Sequence, residues 1–295
     1  ARRTADGLPG SYGARFKALI GLPTGVIAQV PMAIGRSCHV RQGIGTGCHG
    51  LGPKGLHGPT ARHFRSHHGG HVGLEGQVVH QGALGYKNVA TKTPMTTDDL
   101  FYIQSMTKPI ISTAFMMLYE EGYFKLSDPV SKYLPEFKNL RVVRSVNDGP
   151  DAPTDTLKSQ ITMTQLLSHS GGLMHGLEQN PVQIRFRNGY FKPGIKTIQE
   201  RVANMTQFPL LAQPGTEWNY SAGPDVLCVL IEKFSGMSVN DFLKSRLFEP
   251  LEMKHTGYNV PKEEQSRIVA LHTKGKNGTI SVAANQPAFE NVTVW

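Results

Sequence analysis

Ser105 and Lys108 are the residues of this chain whose types and spacing most directly suggest chemistry. Residues three apart on a helix share a face, so a helix here would bring the serine hydroxyl beside the lysine amine. A hydroxyl next to a group that can take its proton is an activated nucleophile. Because serine and lysine are both common, the spacing alone is a weak signal, and the surrounding elements decide its meaning.

The residues after Lys108 predict the helix that would position this pair. Pro109 has no amide hydrogen and is tolerated only near a helix start, which places Ser105 in the first turn. Backbone N–H groups and the helix dipole favour a developing anion at that position. The following positions are apolar on nearly all sides, namely Ile110, Ile111, Ala114, Phe115, Met116, Met117 and Leu118. We therefore expect the helix to run through the core and to desolvate Lys108 in part.

Three ordered blocks of the sequence resemble a known superfamily, that of the serine β-lactamases and penicillin-binding proteins. The blocks are FYIQSMTKPIISTAFMMLYEEGYFKLSDPVSKYLPEF, ITMTQLLSHSGGL and PGTEWNYSAGPDVLCVLIEKFSGMSVNDFLKSRLFEPLEMKHTGY. The resemblance runs from about Gln77 to about Ile280 and is strongest to the class C-like branch that includes the family VIII carboxylesterases. It implies an α/β fold with an antiparallel sheet flanked by helices, a mostly helical region from Ser127 to Glu249, and Ser105 at their junction.

The same resemblance implies a catalytic role for each of three side chains. Ser105 would be the acylated nucleophile, and Lys108 and Tyr220 would move its proton. A phenol in water ionises only near pH 10, so a tyrosine base needs a nearby ammonium, which Lys108 could supply. The alternative for Tyr220 is a core or interface tyrosine whose hydroxyl is satisfied.

Trp218, Ala222 and His169 are the candidate substrate-binding residues. Trp218 could wall an acyl pocket or belong to the core, and His169 is expected mainly to shape its loop. Ala222 stands where class C β-lactamases and many penicillin-binding proteins have the asparagine of a Y-x-N motif. Family VIII esterases resemble this chain in lacking that asparagine, so the substitution favours ester substrates.

The third motif of the superfamily, K-T-G or a relative on a late strand, has no clear counterpart. His255–Gly257 reads HTG and His272–Gly275 reads HTKG. The first lies in a block that resembles a helix-to-loop segment and the second in an apparent hairpin turn, so we interpret both as chance matches. We therefore expect a domain truncated at its C-terminus, with Ser105 N–H as its one oxyanion-hole donor.

The charge and composition of the chain divide it at about residue 74. Residues 1–74 carry nine of the 31 Lys and Arg and one of the 22 acids, so the remaining residues are nearly neutral and predict no nucleic-acid partner. Within residues 1–74, glycine and proline recur too often for a helix or strand to persist. We expect a basic segment of uncertain order, typical of an out-of-frame reading of a GC-rich gene, followed by a partial hydrolase domain over 75–295.

Cysteine and histidine are enriched in the N-terminal segment, but their spacing matches no zinc finger or ribbon. The residues concerned are Cys38, His39, Cys48, His49, His57, His63, His67, His68 and His71. We expect no metal and no cofactor. Cys228 lies on an apolar helix face and is expected to be a small buried side chain. No apolar run is long enough to span a membrane, and the compartment stays open between cytoplasm and periplasm.

Outside the helix after Ser105, the patterns predict several further elements. Gln77–Tyr86 alternates as a strand, TMTQLLSHS and GPDVLCVLIEKFSG predict amphipathic helices, and SVNDFLKSRLFEPLE predicts a helix with a Ser/Asp cap. NDGPDAPTDT, TKTPMTTDD and FKPG are expected to be loops. SRIVALHTKGKNGTISVAANQ predicts two strands around a turn.

From these features we expect a serine hydrolase that cleaves short-acyl carboxylic esters through an acyl-enzyme on Ser105, with a small-molecule ester or β-lactam as its ligand. One alternative is a β-lactamase or D-Ala-D-Ala peptidase. Another is a non-catalytic binding protein that keeps the fold without the chemistry, which the absent third motif favours. The sequence leaves the oligomeric state open.

Overall fold

The secondary structure is known for most of the chain, since the computed structural model describes residues 67–74, 77–147 and 153–286. In chain order the strands are β1 (His67–Leu74), β2 (Gln77–Asn88), β3 (Thr93–Pro94), β4 (Arg141–Val143), β5 (Thr154–Thr156), β6 (His272–Lys274) and β7 (Ile280–Val282). The α-helices are α1 (Thr107–Glu120), α2 (Met163–Leu167), α3 (Pro181–Tyr190), α4 (Ile198–Met205), α5 (Gly223–Ser235) and α6 (Val239–Leu243). Four 3₁₀ turns (Gln104–Met106, Val130–Lys132, Pro135–Phe137 and Lys262–Arg267) and one π-helical turn (Lys244–Phe248) complete the described elements.

The described residues form two compact units. Among the described residues, the first contains those up to Ile103 and those from Phe248 to residue 286, and the second contains those within Gln104–Leu247. Helices α1 to α6 all lie in the second unit. Of these, α2 to α6 fall in the predicted helical region between Ser127 and Glu249, whereas α1 precedes it.

The first unit is built on an antiparallel sheet in the order β1-β2-β3 and on the separate β6-β7 hairpin. β2 is the strand that the alternating pattern predicts, and the β6-β7 hairpin is also confirmed. Lys87 on β2 forms an ion pair with the buried carboxylate of Asp99, at 2.9 Å from Nζ to Oδ1. Asp99 also accepts a hydrogen bond from the backbone N–H of Thr96. These contacts hold the segment after β3, which contains Thr96 and Asp99, against β2.

The core of the second unit is the contact of α1 with α5. Five residues of α1 are buried: Ile110, Ile111, Ala114, Phe115 and Leu118. Opposite them, α5 buries a continuous run from Val226 to Ile231. α5 begins with Pro224 in its first turn and ends at Gly236, whose φ of 70° is the left-handed cap that glycine favours. α1 therefore runs through the core as predicted, although Met116 and Met117 are only half-buried.

Side-chain caps start two of the shorter helices of this unit. At α2, Thr162 and Gln165 form a reciprocal capping box. At α6, the Ser238 hydroxyl accepts a hydrogen bond from Asp241 N–H, as the Ser/Asp cap pattern predicts. Each cap satisfies an N-terminal amide that has no partner inside its helix.

Three local expectations are wrong. The predicted TKTPMTTDD loop contains the two-residue strand β3, which pairs with β2. Glycine-rich His67–Leu74 forms β1, because glycine keeps its backbone N–H and C=O and these pair with β2 from His67 opposite Gly85 to Leu74 opposite Gln77. The end of the predicted NDGPDAPTDT loop forms β5, which pairs with β4 through three residues. Residues 1–66 lie outside the described part, so the predicted division at residue 74 stays a prediction.

Candidate active site

Ser105 lies in the 3₁₀ turn Gln104–Met106, which leads directly into α1. Pro109 is the third residue of α1, so the proline does mark a helix start, but Ser105 precedes the α-helix by two residues. A tight turn of this kind is common at helix N-termini. Gln104 has a φ of 45°, a left-handed conformation that is costly for a residue with a side chain. The backbone is thus strained immediately before the candidate nucleophile.

The three predicted catalytic side chains converge on one atom. Lys108 Nζ lies 3.3 Å from Ser105 Oγ and donates to it. Tyr220 OH donates to the same Oγ at 2.8 Å. Lys108 Nζ also lies 4.8 Å from the centre of the Tyr220 ring. Hydroxyl, amine and phenol are therefore placed so that a proton can pass among them, while their catalytic roles remain predictions.

The surroundings of Tyr220 favour its ionised form. Partial burial alone would raise the pKa of the phenol, because a phenolate loses hydration there. The hydrogen bonds with Lys108 and Ser105 and the charge of Lys108 act in the opposite direction and outweigh burial, so the pKa lies below its ordinary 10.0. Lys108 itself is half-buried in the first turn of α1, in line with the partial desolvation expected for it.

His169 ties the loop after α2 to the segment that carries Tyr220. Its Nδ1 accepts from Ser221 N–H at 3.2 Å and lies 3.0 Å from Ser221 Oγ, while its carbonyl accepts from Asn219 N–H at 2.9 Å. His169 has a φ of 57°, so the backbone is left-handed here as well. Burial, then the charge of Lys108, lowers the pKa of the imidazole and so favours the neutral ring, which has a nitrogen free to accept the Ser221 hydrogen bond. These contacts support the loop-shaping role expected for His169.

His175 is a residue of this group that the sequence reasoning missed. Its imidazole stacks on the Tyr220 ring with centroids 5.2 Å apart and planes 28° apart. Burial, with the charge of Lys108 as the next cause, lowers the pKa of this histidine too. A single histidine in the loop GLMHG has no spacing partner along the chain, so the sequence carries no signal that points to it.

The structure places Trp218 and Ala222 quite differently. The Trp218 side chain is 67% exposed and meets the His169 ring edge-on at 6.1 Å, so the core alternative for it is wrong. Ala222 is buried and precedes α5, and its N–H donates to the Met174 carbonyl at 3.0 Å. Substrate binding by either residue stays a prediction.

Two buried titratable groups lie on α5 beyond this segment. Asp225, in the first turn, accepts a hydrogen bond from Tyr190 OH, and burial raises the pKa of its carboxyl to about 7 against the opposing charge of Lys108. Cys228 is buried and free, as expected. Burial raises the pKa of its thiol, which makes it unreactive.

The two chance matches to the third motif lie in the first unit. His255–Gly257 is loop, and His255 Nδ1 lies 3.6 Å from Glu264 Oε2. His272–Lys274 was expected to lie in a hairpin turn, but it forms the strand β6. His272 Nε2 accepts a hydrogen bond from Val89 N–H at 3.2 Å. Both histidines thus have contacts of their own within that unit.

The described residues were also searched for metal clusters and membrane spans. They contain no group of three or more His, Cys, Asp or Glu side chains that could hold a metal ion. The cysteines and histidines considered as zinc ligands lie outside the described residues or, from His67 to His71, on a strand whose side chains are not described. None of the described helices has the length and apolarity needed to cross a bilayer.

Curated relatives of this chain include named esterases. Lovastatin esterase of Penicillium rubens is 29% identical over 202 residues, which is 67% of this chain and 50% of that protein. Esterase EstB of Burkholderia gladioli is 28% identical over 205 residues, which is 68% of this chain and 49% of that protein. The chain therefore spans about half the length of the curated relatives it matches.

A solved structure supports the same relationship at the level of the fold. EstCE1, described as a hydrolase with promiscuous acyltransferase activity, superposes with a TM-score of 0.59 at 26% identity, covering 71% of this chain and 52% of that one. The predicted α/β class with antiparallel sheets and helices is thereby confirmed. The sequence profile of the Beta-lactamase family matches residues 71–292, about three quarters of the chain. The chain belongs to the Beta-lactamase family.

Proposed function

We propose that this protein is a carboxylesterase-type serine hydrolase that cleaves short-acyl esters through an acyl-enzyme on Ser105. The observation that carries the proposal is the double hydrogen bond on Ser105 Oγ, from Tyr220 OH at 2.8 Å and Lys108 Nζ at 3.3 Å. The names of two curated relatives, lovastatin esterase and EstB, support ester substrates. Ala222, in place of the asparagine of Y-x-N, supports the same choice.

The chemistry would proceed in two balanced steps. Ser105 Oγ forms a bond to the acyl carbon while its proton passes to the Tyr220 phenolate, and the alcohol leaves with a proton returned from the Tyr220–Lys108 pair. Water then attacks the acyl-enzyme, releases the acid and restores the serine hydroxyl. The lowered pKa of Tyr220 supports its role as the group that receives the proton. Ser105 N–H would stabilise the oxyanion.

The test compares p-nitrophenyl butyrate with nitrocefin as substrates of the complete chain. We expect faster turnover of the ester, and we expect Ser105→Ala to abolish it. Ser245→Ala is the matched control, because this exposed serine bonds only to the Asp241 carbonyl in the described structure. Faster nitrocefin turnover would reject the ester preference in favour of a β-lactamase.

A covalent probe separates the hydrolase from a binding protein without chemistry. Exposure to a fluorophosphonate should add one mass increment to the wild-type chain and none to Ser105→Ala. A wild-type chain that binds an ester but is never labelled would reject the hydrolase and leave the non-catalytic alternative.

A further inference from the structure

The Tyr220 segment is held at its backbone by the loop after α2. Asn219 N–H donates to the His169 carbonyl, Ser221 N–H donates to His169 Nδ1, and Ala222 N–H donates to the Met174 carbonyl. These three bonds fix the main chain on both sides of Tyr220. They leave the direction of the phenol ring undetermined, because a tyrosine side chain still rotates about two bonds.

The rings around Tyr220 determine that direction. His175 is stacked on it at 5.2 Å and 28°, and His169 lies at 5.1 Å with a larger tilt of 38°. The two imidazoles differ in their other contacts with the Tyr220 segment. His169 Nδ1 already accepts a hydrogen bond from Ser221 N–H, whereas His175 contacts the Tyr220 segment through the stacking of the two rings.

His175 is itself fixed by the residue that follows it. Gly176 N–H donates to Oε1 of the buried Gln183 at 3.0 Å, and the Gly176 carbonyl accepts from Arg187 Nη1 at 3.3 Å. Both partners lie on α3, so this helix anchors the loop at the residue next to His175. A ring anchored in this way can restrict the ring that it touches.

We propose that His175 is a positioning residue, whose stacked ring holds the Tyr220 phenol oxygen within hydrogen-bond reach of Ser105. This inference rests on the proposed esterase function, because it assigns a task within the same site. Stacked aromatic pairs contribute modest free energies beyond burial, which corresponds to about 2- to 10-fold in a rate that depends on the contact.

The ionisation of His175 fits a stacking task. The titratable or charged groups around it are Lys108 from α1, His169 from the loop after α2, Tyr220 itself and Arg187 from α3. Burial and the charge of Lys108 lower its pKa, so the ring is neutral near pH 7 and adds no second cation beside Lys108. A ring without nitrogen should therefore replace it.

The experiment compares His175→Phe with His175→Leu in the complete chain. Leucine fills space without a planar ring, and we expect kcat for p-nitrophenyl butyrate to fall about 3- to 10-fold with little change in KM. Phenylalanine should keep kcat within about 2-fold of wild type, since it can stack. His255→Leu, a histidine of the first unit, is the control and should leave both constants unchanged.

Two results would overturn the proposal. If His175→Leu turned over the ester as fast as wild type, the ring would position nothing. If His175→Phe were as slow as His175→Leu, an imidazole nitrogen and not the stacked ring would be the active feature. Thermal unfolding of each variant shows whether a slow rate comes from loss of the fold, and the rescue by phenylalanine is judged on folded protein.

A second readout does not depend on turnover. In a chain labelled with ¹³Cζ-tyrosine, the Tyr220 signal is the one that Tyr220→Phe removes, and its shift against pH gives the phenol pKa. We expect that pKa to rise in His175→Leu, because the phenol moves away from Lys108 and Ser105, and to stay low in His175→Phe. An unchanged titration in His175→Leu would contradict the positioning role, whereas a wild-type chain without esterase activity would reject only the proposed function.

Discussion

Tyr220 OH lies 2.8 Å from Ser105 Oγ although the two residues are 115 positions apart in the chain. The first belongs to the segment before α5 and the second to the turn before α1, and the buried contact between these two helices brings the segments together. The hydrogen bond on which the proposed chemistry depends is therefore a product of core packing. Each of the following predictions tests one part of this arrangement.

Removing the phenol oxygen should nearly abolish the reaction while leaving the fold intact. Tyr220→Phe keeps a ring beside the two histidines but removes the group proposed to take the Ser105 proton. General-base contributions are typically about 10²- to 10⁴-fold, so we expect kcat/KM for p-nitrophenyl butyrate to fall by that factor. Tyr123→Phe, at an exposed tyrosine, is the control. A loss below about 3-fold in Tyr220→Phe would assign the base elsewhere.

The charge of Lys108 should set the pH at which the enzyme becomes active. The proposed reaction needs the phenolate, so the rate should rise with pH through the pKa of Tyr220. Burial raises that pKa, but Lys108 and Ser105 lower it by more. Lys108→Gln removes the charge, the pKa returns upward, and the acidic limb of the kcat/KM profile should move to higher pH. Lys108→Arg keeps a charge and should move it less. If the acidic limb of Lys108→Gln lay at the same pH as that of wild type, Lys108 would not control the ionisation of Tyr220.

Asp225 should make the folded state less stable as pH rises. Its carboxyl has a pKa of about 7 when folded against a reference value of 3.8, mainly through burial. Between these values the native state holds a proton that the unfolded state has lost, so the free energy of unfolding falls from about pH 4 to pH 7 and then levels off. The shift corresponds to roughly 4 kcal/mol.

The check is urea unfolding at pH 5 and pH 8. Asp225→Asn keeps an acceptor for Tyr190 OH and cannot ionise, so its free energy of unfolding should depend much less on pH than that of wild type. Asp241→Asn, in the first turn of α6 and exposed, should retain the wild-type dependence. If Asp225→Asn showed the full wild-type slope, the proton uptake would belong to another group.

Gly172 should tolerate no side chain, because the backbone of Ala212 fills the space. Its φ is 78°, and a Cβ there would overlap the Ala212 carbonyl oxygen. Gly194 has a φ of 93° with nothing near a Cβ, so it isolates the cost of the left-handed backbone, about 1 kcal/mol. We expect Gly172→Ala to lower the free energy of unfolding by clearly more than Gly194→Ala in urea titrations. Equal losses would mean that the Ala212 segment moves away freely.

The sequence predicts the parts of the site that have local signals. Ser105, Lys108 and Pro109 are close in sequence, and a proline near a helix start restricts where the serine can lie. The apolar runs after Lys108 and after Pro224 predict the two core helices. Tyr220 was found only through the resemblance of its block, because nothing in WNYSAG says which hydroxyl it will approach.

Other features depend on contacts that sequence spacing does not encode. His175 meets Tyr220 across two loops, and the left-handed backbone at Gln104 and His169 is adopted by residues that do not favour it. β1 was missed for a related reason, since its glycines carry no side-chain pattern and its strand exists through pairing with β2. In each case a tertiary contact outweighs the local preference.

All five side chains of the group, those of Ser105, Lys108, His169, His175 and Tyr220, fall within the single unit Gln104–Leu247. One continuous stretch of the sequence therefore carries the hydroxyl, the amine and phenol proposed as its proton partners, and the rings beside them. A recombination event that exchanges this piece between two relatives would transfer the whole group in one step. Hybrids joined at its ends are consequently a direct route to exchanging the reactive group of one relative for that of another.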